Sequence, residues 1–112
     1  MTKPRILFVC AKNQWRSPTA EAVFRNDNRI DVRSAGLSRQ SRHQISHRDV
    51  EWADLILVME REHKSRLTQL FRDFDLPPIT SLDIPDIYPF MDPELIEQLK
   101  LAAGPLIEEI MC

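Results

Sequence analysis

Two short apolar segments constrain the fold of this chain more than any other feature. The segments at residues 5–9 and 54–59 are almost continuously apolar and lack the alternation expected when one face of a strand meets water. Such segments are typical of strands buried on both faces, as in a parallel sheet covered by helices. They therefore favour an α/β fold over an antiparallel one.

Helix signals lie between and after these strands. Ser17 and Pro18 predict a helix start, with Ser17 as N-cap, Pro18 at the first helical position and Glu21 in the first turn. Asp92 and Pro93 predict a second start in the same way, with Asp92 as the cap. The other predicted elements are strands at residues 31–34 and 78–82 and helices at residues 46–53, 60–71 and 93–110. The inward-facing side chains expected on the last two helices are Leu67, Leu70, Phe71, Leu95, Leu99, Ala102, Leu106 and Ile110.

This alternation predicts a three-layer α/β/α sandwich with a four-stranded parallel sheet, formed by one domain over residues 1–112. Right-handed crossovers place the carboxyl ends of all strands on one edge of the sheet, where ligands of such folds bind. Cys10 ends the first strand, so we expect its thiol at that edge.

Composition and charge exclude several functional classes. The net charge of −2 argues against a nucleic-acid binder, and no apolar run approaches the roughly 20 residues of a membrane span. The charge is nevertheless divided: residues 1–48 hold ten lysines and arginines against three acidic residues, whereas residues 49–112 hold five against fourteen. A basic half suggests an anionic ligand, although the charges could also intersperse on folding.

The cysteines and histidines favour neither a disulfide framework nor a metal site. Cys10 and Cys112 are the only cysteines, too few for a disulfide scaffold, so we expect reduced thiols and a cytoplasmic protein. His43 and His47 lack the partners of a known metal motif. We therefore expect neither a metal nor another cofactor.

The segment after the first strand carries the chemistry. Cys10 and Arg16 are separated by five residues, and the predicted helix begins directly afterwards. A loop between a strand and a helix N-terminus can hold an oxyanion with its backbone N–H groups, and the same field stabilises a thiolate. The guanidinium of Arg16 can bind two phosphate oxygens, and Ser17 can donate a hydrogen bond to the sulfur. The alternative is a buried structural cysteine beside a surface arginine.

Residues 10–21, Cys-Ala-Lys-Asn-Gln-Trp-Arg-Ser-Pro-Thr-Ala-Glu, resemble the signature loop of the low-molecular-weight protein tyrosine phosphatases. The pattern of that family is Cys-x-Gly-Asn-x-x-Arg-Ser-Pro-x-Ala-Glu. Residues 34–36, 53–59 and 83–88 are similar, in the same order, to its Ser-Ala-Gly segment, its third strand and its Asp-Pro-Tyr loop. The resemblance implies a flavodoxin-like topology with strand order 2-1-3-4.

The resemblance also implies a function: metal-independent hydrolysis of phosphotyrosine in proteins or of small aryl phosphates, by a monomer or weak dimer. Cys10 would form a phosphocysteine, Arg16 would hold the phosphoryl oxygens, and Asp86 would be the general acid. The phosphate- or substrate-binding residues would be Ala11, Lys12, Asn13, Gln14, Trp15, Ser17 and Tyr88.

Several assignments stay open from the sequence. Asp83 is the alternative general acid to Asp86, and Tyr88 could either form a wall for a phenyl ring or pack over the loop. Trp15 could line the mouth of the pocket or lie beneath the loop. Some basic side chains could meet acidic residues around a phosphorylated site or form a solvated loop; these are Arg39, Arg42 and His43.

Two departures from the family pattern bear on activity. Lys12 replaces a glycine of the signature loop, where a positive φ would strain it, and Ile87 replaces the proline of the Asp-Pro-Tyr loop. The chain is also shorter than typical members. Two other functions follow as alternatives: a phosphate-binding module without turnover, and an arsenate reductase, for which Cys112 alone could serve as the second thiol.

Overall fold

The computed structural model describes residues 3–111, and Cys112 lies outside this range. Four parallel strands form one sheet in the order β2-β1-β3-β4. The elements in chain order are β1 (Arg5–Cys10), α1 (Arg16–Phe24), β2 (Asp31–Gly36), α2 (His47–Trp52), β3 (Leu55–Val58), α3 (Arg61–Leu70), β4 (Ile79–Ser81) and α4 (Pro93–Met111). The predicted sandwich, its parallel sheet and its strand order are thus confirmed.

Both faces of the central strands are buried, which explains their continuous apolar sequence. Ile6 and Phe8 of β1 belong to a core shared with α1 and α4, whereas Leu7 and Val9 belong to a second core shared with α2 and α3. All four side chains are fully buried. Because alternate side chains of a strand point to opposite faces, helices must cover both sides of the sheet.

The helix boundaries differ from the prediction where the site lies. Helix α1 begins at Arg16 with Trp15 as N-cap, so the prediction that Ser17 caps this helix is wrong. The Ser17 hydroxyl is instead engaged with Cys10, Asn13 and the carbonyl of Ala35. Asp92 does cap α4, because its Oδ1 accepts hydrogen bonds from the backbone N–H groups of residues 94 and 95.

Three details of the predicted core are also corrected. Strand β2 continues through Gly36, because it pairs with the whole of β1. Leu70 is 58% exposed, so the apolar contact of α3 with the core is made by Leu67, followed by Phe71 directly after the helix. On α4 the fully buried side chains are Leu95, Leu99, Ala103 and Ile107, while Ala102, Leu106 and Ile110 are partly buried at the margin of that core. Within residues 3–111, no helix is long and apolar enough to cross a membrane.

Candidate active site

The loop between β1 and α1 has a left-handed residue at its centre. Asn13 has a φ of 51°, a conformation that asparagine tolerates better than most residues with a side chain. Lys12 is not among the residues with positive φ, so the strain expected from its replacement of a glycine is absent. The loop therefore accepts lysine at this position without a backbone penalty of that kind.

Cys10 lies in a buried hydrogen-bond network behind this loop. The Oγ atom of Ser17 lies 3.0 Å from Cys10 Sγ, and Asn13 Nδ2 donates a hydrogen bond of 2.9 Å to the same Oγ. The hydroxyl also lies 3.3 Å from the carbonyl oxygen of Ala35. Since Asn13 occupies a lone pair of Ser17, the hydroxyl hydrogen is left to point at an acceptor. A negatively charged sulfur is the stronger of the two acceptors.

Arg16 is a buried charge held by three partners. Its Nη1 donates to Glu60 Oε2 at 2.7 Å and to the carbonyl oxygen of Ile84 at 2.8 Å, while its Nε forms an ion pair of 3.6 Å with Asp86 Oδ1. The Arg16 side chain is only 2% exposed. Because Nη1 is committed, the edge formed by Nε and Nη2 is the one that could bind two oxygens of an oxyanion.

Glu60 and His63 complete this arrangement and were missed by the sequence analysis. The backbone N–H of Glu60 donates to His63 Nδ1 at 3.2 Å, and His63 Nε2 lies 3.5 Å from Glu60 Oε2. Burial, followed by the nearby Arg16 guanidinium, lowers the pKa of His63 below its ordinary value. A neutral imidazole agrees with Nδ1 acting as an acceptor. The sequence did contain one signal for Glu60: it follows β3, a strand adjacent to β1, and therefore lies at the same edge of the sheet as Cys10.

The two candidate acids lie in different surroundings. Asp86 faces Arg16, whereas Asp83 accepts a hydrogen bond from the Ser81 hydroxyl at 2.7 Å and pairs with Arg61 Nε at 3.5 Å. Only Asp86 lines the pocket that contains Cys10. This geometry favours Asp86 over Asp83 as a group that could exchange a proton with a ligand there.

A pocket of about 190 Å³ opens above the thiol, and we call it the Cys10 pocket. Its lining consists of Cys10, Ala11, Lys12, Gln14, Trp15, Arg16 and Asp86. Seven of the ten residues predicted for the site therefore meet around one cavity; Asn13 and Ser17 are buried behind it. Trp15 is 41% exposed, so it lies at the mouth of the pocket and not beneath the loop.

Tyr88, like Asn13 and Ser17, is a predicted site residue outside this lining. Its ring is partly buried against the core that α4 shares with the sheet. This burial, with smaller contributions from Glu94 and Asp92, raises the pKa of its phenol. The structure thus packs the ring of Tyr88 against this core and outside the Cys10 pocket.

The segment after β2 holds the loop in place. The backbone N–H of Ser38 donates to the carbonyl of Ala11 at 2.8 Å, and the Ser41 hydroxyl donates to the same oxygen at 3.3 Å. Gly36 allows this close approach, since a Cβ there would lie 2.7 Å from the backbone nitrogen of Asn13 and 2.1 Å from Ser41 Oγ. No cluster of potential metal ligands occurs among residues 3–111.

The comparisons with known proteins point to one family. The family model of the low molecular weight phosphotyrosine protein phosphatases matches residues 5–48. A protein-arginine-phosphatase from Geobacillus stearothermophilus is 31% identical over 91 residues, a match that covers 60% of this chain and 62% of the relative. The chain thus spans less than two thirds of that curated relative.

Solved structures show the same fold over nearly the whole chain. A low molecular weight protein tyrosine phosphatase from Streptococcus pyogenes aligns with a TM-score of 0.81 and 18% identity, covering 97% of this chain and 94% of the other. An arginine phosphatase from Geobacillus stearothermophilus aligns with a TM-score of 0.71 and 24% identity, covering 96% and 92%. The resemblance to the low-molecular-weight protein tyrosine phosphatases that the signature loop indicated is therefore confirmed.

Replacement of Gly36 by alanine is expected to destabilise the protein by about 1–3 kcal/mol, because the added methyl group would displace the backbone of the loop. Gly104→Ala is the matched control: apart from its chain neighbours and the adjacent backbone of α4, no atom lies within 4 Å of its Cβ position, and alanine in a helix should stabilise by about 0.5–1 kcal/mol. The measurement is the free energy of unfolding in urea. Equal stability of Gly36→Ala and wild type would contradict the close packing.

His63 is expected to make folding pH-dependent. Because its pKa is lower in the folded protein, stability is full above the unfolded pKa of about 6.5 and is lost as the pH falls below it toward the folded pKa. His63→Gln should reduce this loss between pH 7.5 and 5, whereas His47→Gln, at an exposed ring, should retain it. Urea unfolding across this pH range tests the difference, and identical pH slopes for wild type and His63→Gln would refute it.

Proposed function

We propose that this chain, which resembles the low-molecular-weight protein tyrosine phosphatases in signature and fold, is a cysteine-dependent phosphomonoesterase acting on phosphotyrosine in proteins. One observation carries the proposal: the Cys10 pocket brings a thiol, a buried arginine and an exposed carboxylate together. These are the three groups that metal-free transfer of a phosphoryl group to sulfur requires, namely a nucleophile, a cation for the equatorial oxygens and an acid for the leaving group.

In the first step, the Cys10 thiolate attacks phosphorus and the bond to the leaving oxygen breaks. The edge of Arg16 formed by Nε and Nη2 and the amides of the loop hold the phosphoryl oxygens while their charge increases. The Ser17 hydroxyl, at 3.0 Å from Sγ, stabilises the thiolate by donating to it. The protonated carboxyl of Asp86 gives its proton to the departing phenolate, leaving phosphocysteine and a carboxylate.

In the second step, the Asp86 carboxylate accepts a proton from water, and the water oxygen attacks phosphorus as the P–S bond breaks. Phosphate leaves, the thiolate is restored, and Asp86 is again protonated. The same contacts to Arg16 and Ser17 serve both steps. The ion pair of Asp86 with Arg16 Nε must open when the phosphoryl group enters. The released carboxylate then takes up, from solvent or from the phosphate monoanion, the proton that it donates in the first step.

The chemistry of a free thiol requires a reducing environment, which agrees with a chain that has only two cysteines. A nucleophilic thiol is preserved in a reducing compartment, so we place the protein in the cytoplasm. The proposed phosphatase unit comprises residues 1–112, and its substrate is a phosphorylated protein reached at the open mouth of the Cys10 pocket.

A second substrate class follows from the comparisons. The curated relative described above acts, by its name, on phosphoarginine, and its sequence matches 60% of this chain. Phosphoarginine has a P–N bond, and its leaving guanidine would take the proton of Asp86 as a phenolate does. Hydrolysis of phosphoarginine is therefore the second candidate activity, and it would differ from the first only in the leaving group.

The mechanism is tested by release of p-nitrophenol from p-nitrophenyl phosphate, with EDTA and reductant present. Wild type is expected to turn over, Cys10→Ser to lose all turnover, and Asp86→Asn to lose about 100-fold or more of kcat/KM. Asp83→Asn is the matched control and should stay within about threefold of wild type. Full activity in Asp86→Asn would reassign the acid, and folded wild type without turnover would refute the proposed function.

The substrate class is tested with paired peptides of one sequence that carry phosphotyrosine or phosphoarginine at the same position. Phosphate release should be at least tenfold faster, by kcat/KM, from the phosphotyrosine peptide. Both rates should vanish in Cys10→Ser, which excludes a contaminating phosphatase. The opposite preference would identify the protein as an arginine phosphatase with the same nucleophile.

A further inference from the structure

A second, more basic cleft borders the loop that forms the Cys10 pocket. Its volume is about 490 Å³, and we call it the arginine cleft after Arg25, Arg33 and Arg42. The rest of its lining consists of Asn13, Pro18, Glu21, Ser34, His43 and Phe90. Asn13 lies in this lining, while its neighbours Lys12 and Gln14 line the Cys10 pocket. The two cavities are therefore lined by consecutive residues of the same loop.

Two of the arginines are not neutralised within the described part of the chain. Arg25 and Arg42 are exposed and form no ion pair with residues 3–111, whereas Arg33, the third arginine of the cleft, pairs with Asp49. Glu21 also lines the cleft and brings one negative charge to it; its carboxylate accepts a hydrogen bond from the hydroxyl of Ser34. Glu21 and Asp49 together carry fewer charges than the three arginines. The cleft therefore keeps a positive charge that the fold does not use.

The other two basic side chains are fixed in place by a buried carboxylate. Asp49 is 3% exposed; its Oδ2 lies 2.9 Å from His43 Nε2, and its Oδ1 lies 3.8 Å from Arg33 Nη1. The guanidinium of Arg33 also stacks at 4.3 Å over the ring of Trp52. A guanidinium and an imidazole ordered in this way lose little conformational entropy when they bind a ligand.

The segment that carries Arg42 and His43 is tied to the loop as well. The carbonyl of His43 accepts a hydrogen bond of 2.9 Å from the backbone N–H of Gly36, and Ser41, the preceding residue but one, donates to the carbonyl of Ala11. The backbone that carries Arg42 and His43 is therefore held in place relative to the Cys10 pocket.

From this arrangement we propose that the arginine cleft binds an oxyanion group, a phosphate or a set of carboxylates, next to the reacting phosphoryl group. The group belongs either to the substrate protein, as an acidic or phosphorylated residue near the scissile phosphate, or to a free anion. Guanidinium groups suit both, because their planar N–H donors match carboxylate and phosphate geometry. The charge, the fixed side chains and the shared loop all support this assignment.

Inorganic phosphate is the first probe. Its binding is monitored by the backbone amide resonances of the ¹⁵N-labelled protein. Two sets of shifts with separate midpoints are expected, one at residues 11–17 and one at residues 33–34 and 42–43. The double variant Arg25→Ala/Arg42→Ala should lose the second set and keep the first. The control Arg39→Ala/Arg48→Ala removes two exposed arginines outside the cleft and should keep both.

The outcomes of this titration separate the proposal from the proposed function. A second set that is absent in wild type, or that persists in Arg25→Ala/Arg42→Ala, overturns the arginine cleft as an anion site. Loss of the second set in both double variants overturns it too, because the effect would then reflect net charge alone. None of these results depends on turnover.

Phosphopeptides then distinguish the two sources of the anion. This experiment rests on the proposed function, because it measures turnover. Two peptides with the same phosphotyrosine carry either acidic or neutral neighbours. If the substrate supplies the anion, Arg25→Ala/Arg42→Ala should raise KM roughly fivefold for the acidic peptide only, with kcat unchanged. If KM for both peptides is unchanged while phosphate still binds the wild-type cleft, the site is one for a free anion.

Discussion

The site depends on burying one charge, the guanidinium of Arg16, at the start of α1. Removal of a cation from water is costly unless partners replace the solvent, and here Glu60, Asp86 and the carbonyl of Ile84 do so. These partners come from the ends of β3 and β4, so the parallel sheet must bring three chain segments to one edge before the arginine can be buried. The fold and the charge thus support each other.

The same edge explains how Cys10 is presented. The thiol ends a strand that is buried on both faces, and the chain turns at once through Asn13, whose positive φ lets it re-enter as a helix. Ser17 is withdrawn from helix capping to bridge the sulfur and Asn13. Helix α1 therefore begins without a side-chain cap while the thiol has a fixed environment, and such a broken local rule is common at a site.

Most of the fold and the centre of the site were predictable from sequence, and the failures have physical causes. Continuous apolar strands and the Cys-x5-Arg loop predicted the sheet and placed Cys10 near Arg16. The expected strain at Lys12 and the inward position of Leu70 were wrong, since φ values and helix rotation depend on packing beyond the segment. Glu60 and His63 were missed because their partner, Arg16, lies more than forty residues away in the chain.

The sequence alone determined the type of fold, the thiol and the arginine in its loop, because periodicity and a contiguous motif are local properties. Only the tertiary structure decided which carboxylate faces Arg16, where Trp15 and Tyr88 lie, and that Arg25 and Arg42 share a cleft. Those facts depend on the crossing of separate strands and helices. Electrostatic interaction falls with distance in space, so charges far apart in sequence act together only after folding.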